Sequence, residues 1–600
     1  MPNAVDTGQQ QNLSQMFFAV AGANGARPFA WAKKGGAWTA LSWRDAAAQA
    51  QGLARALRAL GVGEGDRVGL VAENRPEWAV ADVAIMAAGA VSVPAYVTNT
   101  VADHRHILND SGAKAVIVSS PRLVDSVLAA AAGTEVRAAI AIDPGAHAPQ
   151  ASAVKLVAWN DALALGAKAP GGAGGGGPLN ARKRADTACL IYTSGTGGVP
   201  KGVMLSHGAI LRNCAGARAV LEPLGLGDET FLSFLPLSHS YEHTAGLHFP
   251  ISIGAQIYYA EGADKLAANL PEARPTIMTA VPRLYETMHQ RISAGVERAG
   301  GLKAKLFHWA VALGRKKYEA PGSLSLGERL ADRLLDRLVR DKVRARFGGR
   351  LKALVSGGAP LNADIGLFFT ALGLRILQGY GLTETGPVVS VNPPGNVKIH
   401  TVGPPLKDVK VKIAADGEIL VAGENVMQGY WNQPQSTAEV LRDGWLYTGD
   451  IGMLDADNYL QITDRKKDII VNSGGDNVAP QRIEGYLTLR PEIAQAMVAG
   501  DKRPYLVAVL VPRQEFVEAF AAAHGLKPLL AALADDGAFA KALAAAVEQV
   551  NAGLNVIERV RRFVVAGEPF TIANGMMTPT MKVRRHVVRQ VYGKALDGLY

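Results

Sequence analysis

The chain has 600 residues, more than one hydrophobic core can organise, so two or more domains are expected. Apolar residues make up 48% and charged residues 19%, which excludes a disordered chain, and the formal charge of +10 suits a protein that handles polyanions without saying which. Two cysteines, Cys189 and Cys214, exclude a disulfide scaffold or a cysteine-rich zinc site and fit a reducing cytoplasm.

The N-terminal MPNAVDTGQQQNLSQ lacks the basic start and apolar centre of a secretory signal, so a soluble, cytoplasmic protein is expected. Residues 45–61 have helical periodicity and end at a glycine cap, Gly61. The runs 67–74, 115–120 and 137–144 have strand length and close on turn residues. The longest apolar run, 79–97, contains Asp82, Gly89 and Pro94 and reads as a buried helix running into a strand, not a membrane span. Strand alternating with helix predicts α/β units with mostly parallel sheets. The glycine-rich 166–180 reads as a flexible excursion, and 188–193 as the strand before a small-residue loop. Residues 326–347 place Leu330, Leu334, Leu338 and Val343 near helical spacing, with Arg and Asp between them. That pattern predicts an amphipathic helix packed on the body of the protein, with a basic helix touching a membrane surface as the alternative.

The loop lies within 192-YTSGTGGVPKGVMLSH-207. Its glycines let several backbone N–H groups converge on one anion, Ser194 and Thr196 add hydroxyl donors, and Lys201 adds a charge. The P-loop pattern does not fit, because Lys201 follows Pro200 and precedes Gly202. On its own the stretch leaves a structural turn open.

It is followed, in order, by 356-SGGAPL-361, 378-QGYGLTET-385, 447-YTGD-450, 464-DRKKDIIVNSGGDNVAPQRIE-484 and 578-TPTMKVRR-585. Together these resemble the signatures of the adenylate-forming enzymes, which include acyl-CoA synthetases, peptide-synthetase adenylation domains and luciferases. One departure is Gly197, where that family usually has a second threonine.

The resemblance implies an α/β fold. Its large N-terminal domain, residues 1–464, would hold sheets sandwiched by helices and a smaller β-barrel-like part; residues 465–600 would form a small, mobile α+β domain. It implies a two-step reaction: a carboxylate attacks the α-phosphorus of ATP, then a thiol displaces AMP. Thr193, Ser194, Gly195, Thr196, Gly197, Gly198 and Lys201 would hold the phosphates. Glu384, with Thr196, would hold Mg2+, since a hard oxygen ligand suits a cation bridging phosphates. Thr383 would meet the α-phosphate. Gly357, Gly358, Ala359, Gln378, Gly379, Tyr380 and Gly381 would surround the adenine. Asp450 and Arg465 would hold the ribose, and Lys582 would bridge carboxylate and α-phosphate during adenylation. Lys467 would be the hinge, and Gly474 and Gly475 would border the coenzyme A channel after the small domain turns.

The segment 239-HSYEH-243 also fits the H-x-x-E-H zinc pattern, but its approach reads as a strand passing into a loop, where histidines four apart share no face. The resemblance instead puts His239 beside the carboxylate end of an acyl pocket. The VPRLYE stretch at 281–286, the long helical insertion over 287–347 and the form SGGDNVAPQRIE resemble bacterial long-chain fatty-acid–CoA ligases. The expected partners are therefore a fatty acid, ATP and coenzyme A, with no nucleic acid; peripheral attachment to the inner membrane face and a homodimer are further expectations. A ligase loading a carrier protein, a CoA ligase for an aryl acid and a non-catalytic adenylate-binding protein are the alternatives.

Overall fold

The computed structural model describes residues 5–145, 154–169, 181–193, 199–578 and 582–600. Two eight-stranded sheets form the larger part. In one, Val91–Pro94, Arg67–Val71, Ala115–Val118, Ala138–Ala141 and Lys155–Ala158 run parallel, and Val91–Pro94 is also parallel to Thr187–Thr193. Lys201–Ser206 returns antiparallel along Thr187–Thr193. In the other, Ile376–Gly381, Ala353–Ser356, Ile277–Ala280, Thr230–Ser233, Gln256–Tyr259 and Pro28–Lys34 run parallel between antiparallel edges.

Helices fill the space between these sheets. Helix Pro76–Ala87 is buried at every position but Glu77, as an all-round apolar sequence requires. Its neighbours include Trp43–Ala59, whose N-cap Ser42 accepts from the Asp45 amide. The expected strands and the helix-into-strand at 79–97 are therefore present, the latter as Pro76–Ala87 and Val91–Pro94. The flexible excursion expected over 166–180 is not what its first residues form. Gly166 belongs to helix Trp159–Lys168, where a Cβ would stand 1.8 Å from the Gly52 carbonyl oxygen. The two helices approach too closely there for any side chain. Residues 170–180 lie outside the described residues.

A five-stranded antiparallel sheet follows, with Trp445–Leu454 at its centre and Leu460–Arg465 alongside. The smaller C-terminal part is built on Ile493–Ala499, Leu506–Pro512 and Val560–Val565. Alternation along the middle strand sends Leu506, Ala508 and Leu510 into one core and Val507, Val509 and Val511 into another.

The insertion is helical, as expected: Pro282–Ala299, Gly301–Glu319, Leu326–Leu335 and Asp341–Arg346, with a π-helical turn at Asp336–Arg340. It packs on the body of the protein as expected, and Val343 joins a core, but the expected leucines do not. Ala331, Leu335 and Val339 face Ala310 and Leu313, while Leu330, Leu334 and Leu338 point to solvent. Over residues 330–339 the buried stripe is one residue over from the expected one.

Candidate active site

A cleft of ≈ 1900 Å3 opens between the two large sheets, the five-stranded sheet and the C-terminal part. Strand ends supply most of its polar groups. Ala353–Ser356 runs into Gly357, Gly358 and Ala359, and Gly358 takes φ +81°. A Cβ on Gly357 would stand 3.0 Å from the Tyr241 ring, so the bare backbone keeps this wall thin. Strand Ile376–Gly381 carries Gln378, Gly379, Tyr380 and Gly381 along the cleft, followed by a 3-10 turn, Thr383–Thr385, that presents Thr383 and Glu384.

Asp450 and Arg465 are register partners on adjacent antiparallel strands. Arg465 Nε donates to Asp450 Oδ1 at 3.2 Å, and the Tyr380 hydroxyl donates to Oδ2 at 2.6 Å. Burial raises the Asp450 pKa, against the pull of Arg465, Tyr380 and Lys582. Glu384 Oε1 accepts from the Tyr430 hydroxyl at 2.8 Å. Among the described residues Oε2 has no such partner, which leaves a hard carboxylate oxygen of the kind a divalent cation takes. Thr383 Oγ1 lies 3.0 Å from Ser240 Oγ.

Thr193 and Lys201 face each other at the base of the phosphate-type loop. Lys201 Nζ donates to Ser436 Oγ at 2.9 Å and sits 5.0 Å over the Tyr430 ring. Ser194, Gly195, Thr196, Gly197 and Gly198 lie outside the described residues.

Lys582 reaches this cleft from the C-terminal part. Its residue retains solvent-exposed surface because the cleft is open, yet protein crowds the ammonium group on most sides. That crowding, with Arg465 nearby, lowers its pKa to about 8, against the opposing charges of Asp450 and Glu384. His239 lines the same cleft, and burial, with the Lys582 charge, lowers it to about 4. Its Nδ1 accepts from the Tyr241 amide at 3.1 Å, so the neutral ring carries its proton on Nε2. The structure thus gathers Lys201, Tyr380, Thr383, Glu384, Asp450, Arg465, Lys582 and His239 around one space. Gly474 and Gly475 stand apart, in an exposed turn between Ile470–Val471 and Asn477–Val478, with Gly475 at φ +86°.

Sequence reasoning passed over Tyr430, Ser436 and Ser240. Tyr430 engages both Glu384 and Lys201, and its only sequence signal is the short 429-GYWN-432 between two recognised motifs.

The segment after His239 is helical rather than a loop, with the His243 amide donating to the His239 carbonyl at 2.9 Å and a π-helix over Glu242–His248. The H-x-x-E-H set nevertheless does not assemble. Glu242 accepts from Ser233 and Thr279 at 2.7 and 2.6 Å, and burial lifts its pKa to about 7. The wide π turn instead sets His243 and His248 against Asp82, whose Oδ2 accepts from their Nε2–H groups at 3.0 and 3.2 Å; Ser92 donates to Oδ1 at 2.6 Å. Among the described residues neither Nδ1 has a hydrogen-bond partner, whereas a metal-bound imidazole is normally oriented through that nitrogen. The cluster is a hydrogen-bonded brace between helix Pro76–Ala87 and the π-helix. Asp82→Ala is expected to cost about 3 kcal/mol by leaving three buried donors, His243, His248 and Ser92, without their acceptor. A fallen thermal-unfolding midpoint would show it; a variant that melts with the wild type would refute the brace.

Residues 17–431 match the model of the AMP-binding enzyme family, and residues 467–600 match that of the AMP-binding enzyme C-terminal domain. The chain belongs to the AMP-binding enzyme family. The long-chain-fatty-acid–CoA ligase FadD15 of Mycobacterium bovis is 36% identical over 577 residues, covering 94% of this chain and 93% of that protein. The peroxisomal long chain acyl-CoA synthetase 7 of Arabidopsis thaliana is 31% identical, covering 94% and 82%. Among solved structures, the A domain of the carboxylic acid reductase from Segniliparus rugosus aligns with a TM-score of 0.79 at 24% identity, over 99% of this chain and 95% of that one. A benzoate CoA ligase from Burkholderia xenovorans aligns at 0.71 and 23%, over 97% and 100%. These two likenesses concern the fold, a large N-terminal part with a smaller C-terminal one.

Proposed function

We propose that this AMP-binding enzyme joins a fatty acid, long-chain by preference, to coenzyme A at the expense of ATP, releasing pyrophosphate and AMP. The observation that carries the reading is the convergence of Lys582 and Arg465 with Asp450 and Glu384 in a cleft that His239 also lines. Joining a carboxylate to a triphosphate brings two anions together, so fixed cations and donors aimed at that point lower the barrier most. Lys582 Nζ is the group that meets both anions. His239, neutral with its proton on Nε2, donates to the acid without adding charge. Asp450 exchanges Tyr380 and Arg465 for the two ribose hydroxyls, and Lys201 leaves Ser436 for the phosphates. Magnesium held by Glu384 Oε2 would neutralise phosphate charge. The apolar extension of the cleft, with Ala217, Val220, Phe231, Ala245 and Phe249 on its walls, suits a hydrocarbon chain.

Thioester formation needs a different face of the C-terminal part. The exposed Gly474–Gly475 turn carries no side chain to obstruct a pantetheine arm, and rotation about Lys467 of a unit spanning residues 465–600 against residues 1–464 would bring it in as Lys582 leaves.

The test is AMP release from ATP and magnesium over saturated acids from acetate to stearate, with and without coenzyme A. The expected result is a maximum at long chains that requires coenzyme A. Adenylate accumulation with no coenzyme A response would move the chain to the carrier-loading ligases, and a maximum at short or aryl acids would overturn the fatty-acid preference.

A further inference from the structure

Among the described residues that line the cleft, none comes from helix Val101–Ser111, yet two side chains of that helix end on the base of the phosphate-type loop. His106 and Asp110, four positions apart, share one face of the helix. The stems of the loop are the paired strands Thr187–Thr193 and Lys201–Ser206, with Thr193 opposite Lys201 and Tyr192 opposite Gly202. His106 holds one stem and Asp110 the other.

His106 Nε2 lies 3.0 Å from the Pro200 carbonyl oxygen. A carbonyl only accepts, so Nε2 carries the proton and donates it to this bond. Pro200 immediately precedes Lys201, and the two share one rigid peptide plane, so holding that carbonyl sets the direction in which Lys201 continues. On the other stem, the Tyr192 hydroxyl donates to Asp110 Oδ2 at 2.6 Å, and the Tyr192 and His106 rings meet edge-on with centroids 6.0 Å apart. A Cβ on Gly202 would stand 3.0 Å from the Tyr192 ring, so this tyrosine also packs on the facing stem. The helix end reaches a third element. The Asp110 carbonyl accepts from Trp431 Nε1 at 2.9 Å and Asn432 Nδ2 at 3.2 Å, while the Trp431 amide donates to the Gly202 carbonyl at 2.7 Å. The segment that carries Tyr430 is thereby tied to the same turn of helix.

We infer that His106 is a positioning residue for the polyphosphate of ATP. Acting through Pro200, with Asp110 acting through Tyr192, it fixes the spacing and direction of the two stems, so that Thr193 and Lys201 meet the phosphates beyond the α-phosphate. Neither side chain touches the nucleotide. Their effect is geometric: donors on a loop bind an anion only while they converge, and stems free to spread lose that convergence. The inference rests on the phosphate role proposed above for Lys201. It assigns the tightness of that grip to a helix outside the cleft, and it predicts that the helix serves ATP and not AMP, which lacks the outer phosphates.

Calorimetric binding of ATP and of AMP to the full-length protein, with magnesium and without an acid substrate, tests this with no turnover. His106→Phe keeps a ring beside Tyr192 and removes the donor; His106→Gln restores an N–H near the place of Nε2. H106F is expected to weaken ATP about fivefold, in the range of one hydrogen bond, and to leave AMP unchanged. H106Q is expected to keep the wild-type ratio of ATP to AMP affinity, and both variants to melt close to wild type. In turnover, H106F should raise KM for ATP while KM for the acid stays the same. Lys201→Ala separates the inference from the reading beneath it. A ratio lowered by K201A but not by H106F would overturn the inference and leave the phosphate role of Lys201 standing. A ratio lowered by neither would remove that role and the inference together. Equal weakening of ATP and AMP in H106F would show that the helix only supports the fold, and would also overturn it.

Discussion

Replacing Lys582 by alanine is expected to slow acyl-adenylate formation by about 10²-fold or more, equivalent to about 3 kcal/mol, while sparing thioester formation from a supplied acyl-adenylate. The asymmetry follows from position. Lys582 feels the charges of Asp450, Glu384 and Arg465, where the proposed reaction brings nucleotide and acid together, whereas the Gly474–Gly475 turn faces solvent in the same structure. A group that stabilises charge arising only when carboxylate meets α-phosphorus has no task once AMP is the leaving group. Pyrophosphate release measures the first step, and AMP release from synthetic acyl-adenylate plus coenzyme A measures the second. Equal losses in both would refute the assignment.

The same lysine sets a pH dependence. Crowding lowers its pKa to about 8, so the ammonium form present below that value is lost as pH rises through it. The rate of adenylation at low ATP and acid is expected to fall across that range. Lys582→Arg, weaker in absolute rate, should hold its activity to higher pH because a guanidinium does not titrate there. A wild-type profile that stays flat through pH 9 would count against a charged Lys582 in the transition state.

The second large effect is expected at Asp450. Asp450→Ala removes both acceptors proposed for the ribose hydroxyls, each charge-assisted bond contributing about 1.5–3 kcal/mol, so kcat/KM for ATP should fall by about 10²-fold or more. It also removes the counter-charge that Arg465 and Lys582 feel, so Lys582 should titrate at lower pH and the alkaline fall should begin earlier. Nucleotide titration at fixed acid separates the two consequences. An unchanged KM for ATP would show that Asp450 serves only to hold Arg465 and Tyr380 in place.

Much of this site was legible because its chemistry is written in short, ordered runs. Tyr380, Thr383 and Glu384 are sequence neighbours, and Asp450 and Arg465 pair through a simple strand reversal. What escaped depends on distance along the chain. Tyr430 meets Glu384 across 46 residues, Ser240 meets Thr383 across 143, and His243 meets Asp82 across 161; no local pattern marks any of these pairs.

The misreadings share a cause. Leu334 and Leu335, like Leu338 and Val339, are adjacent, so the insertion offers two apolar stripes one residue apart. Periodicity finds both, and only the partner helix Gly301–Glu319 decides which is buried. Gly166 looked like the start of a loose segment because glycines follow it, whereas its own role is contact with Gly52. The segment after His239 follows a strand and a proline, which hid a helix that starts immediately afterwards.

The pairings around the cleft also bear on discrimination among anions. Lys201 rests on Ser436 and Tyr430, Glu384 on Tyr430, and Asp450 on Arg465 and Tyr380. A newcomer that engages all three must therefore outbid internal partners at two places together, the Tyr430 cluster and the Asp450 pair, and a small anion such as inorganic phosphate can replace only one set at a time. In the proposed binding mode a nucleoside triphosphate reaches all of them, so selectivity for the whole molecule would reside in the cost of undoing these contacts piecemeal.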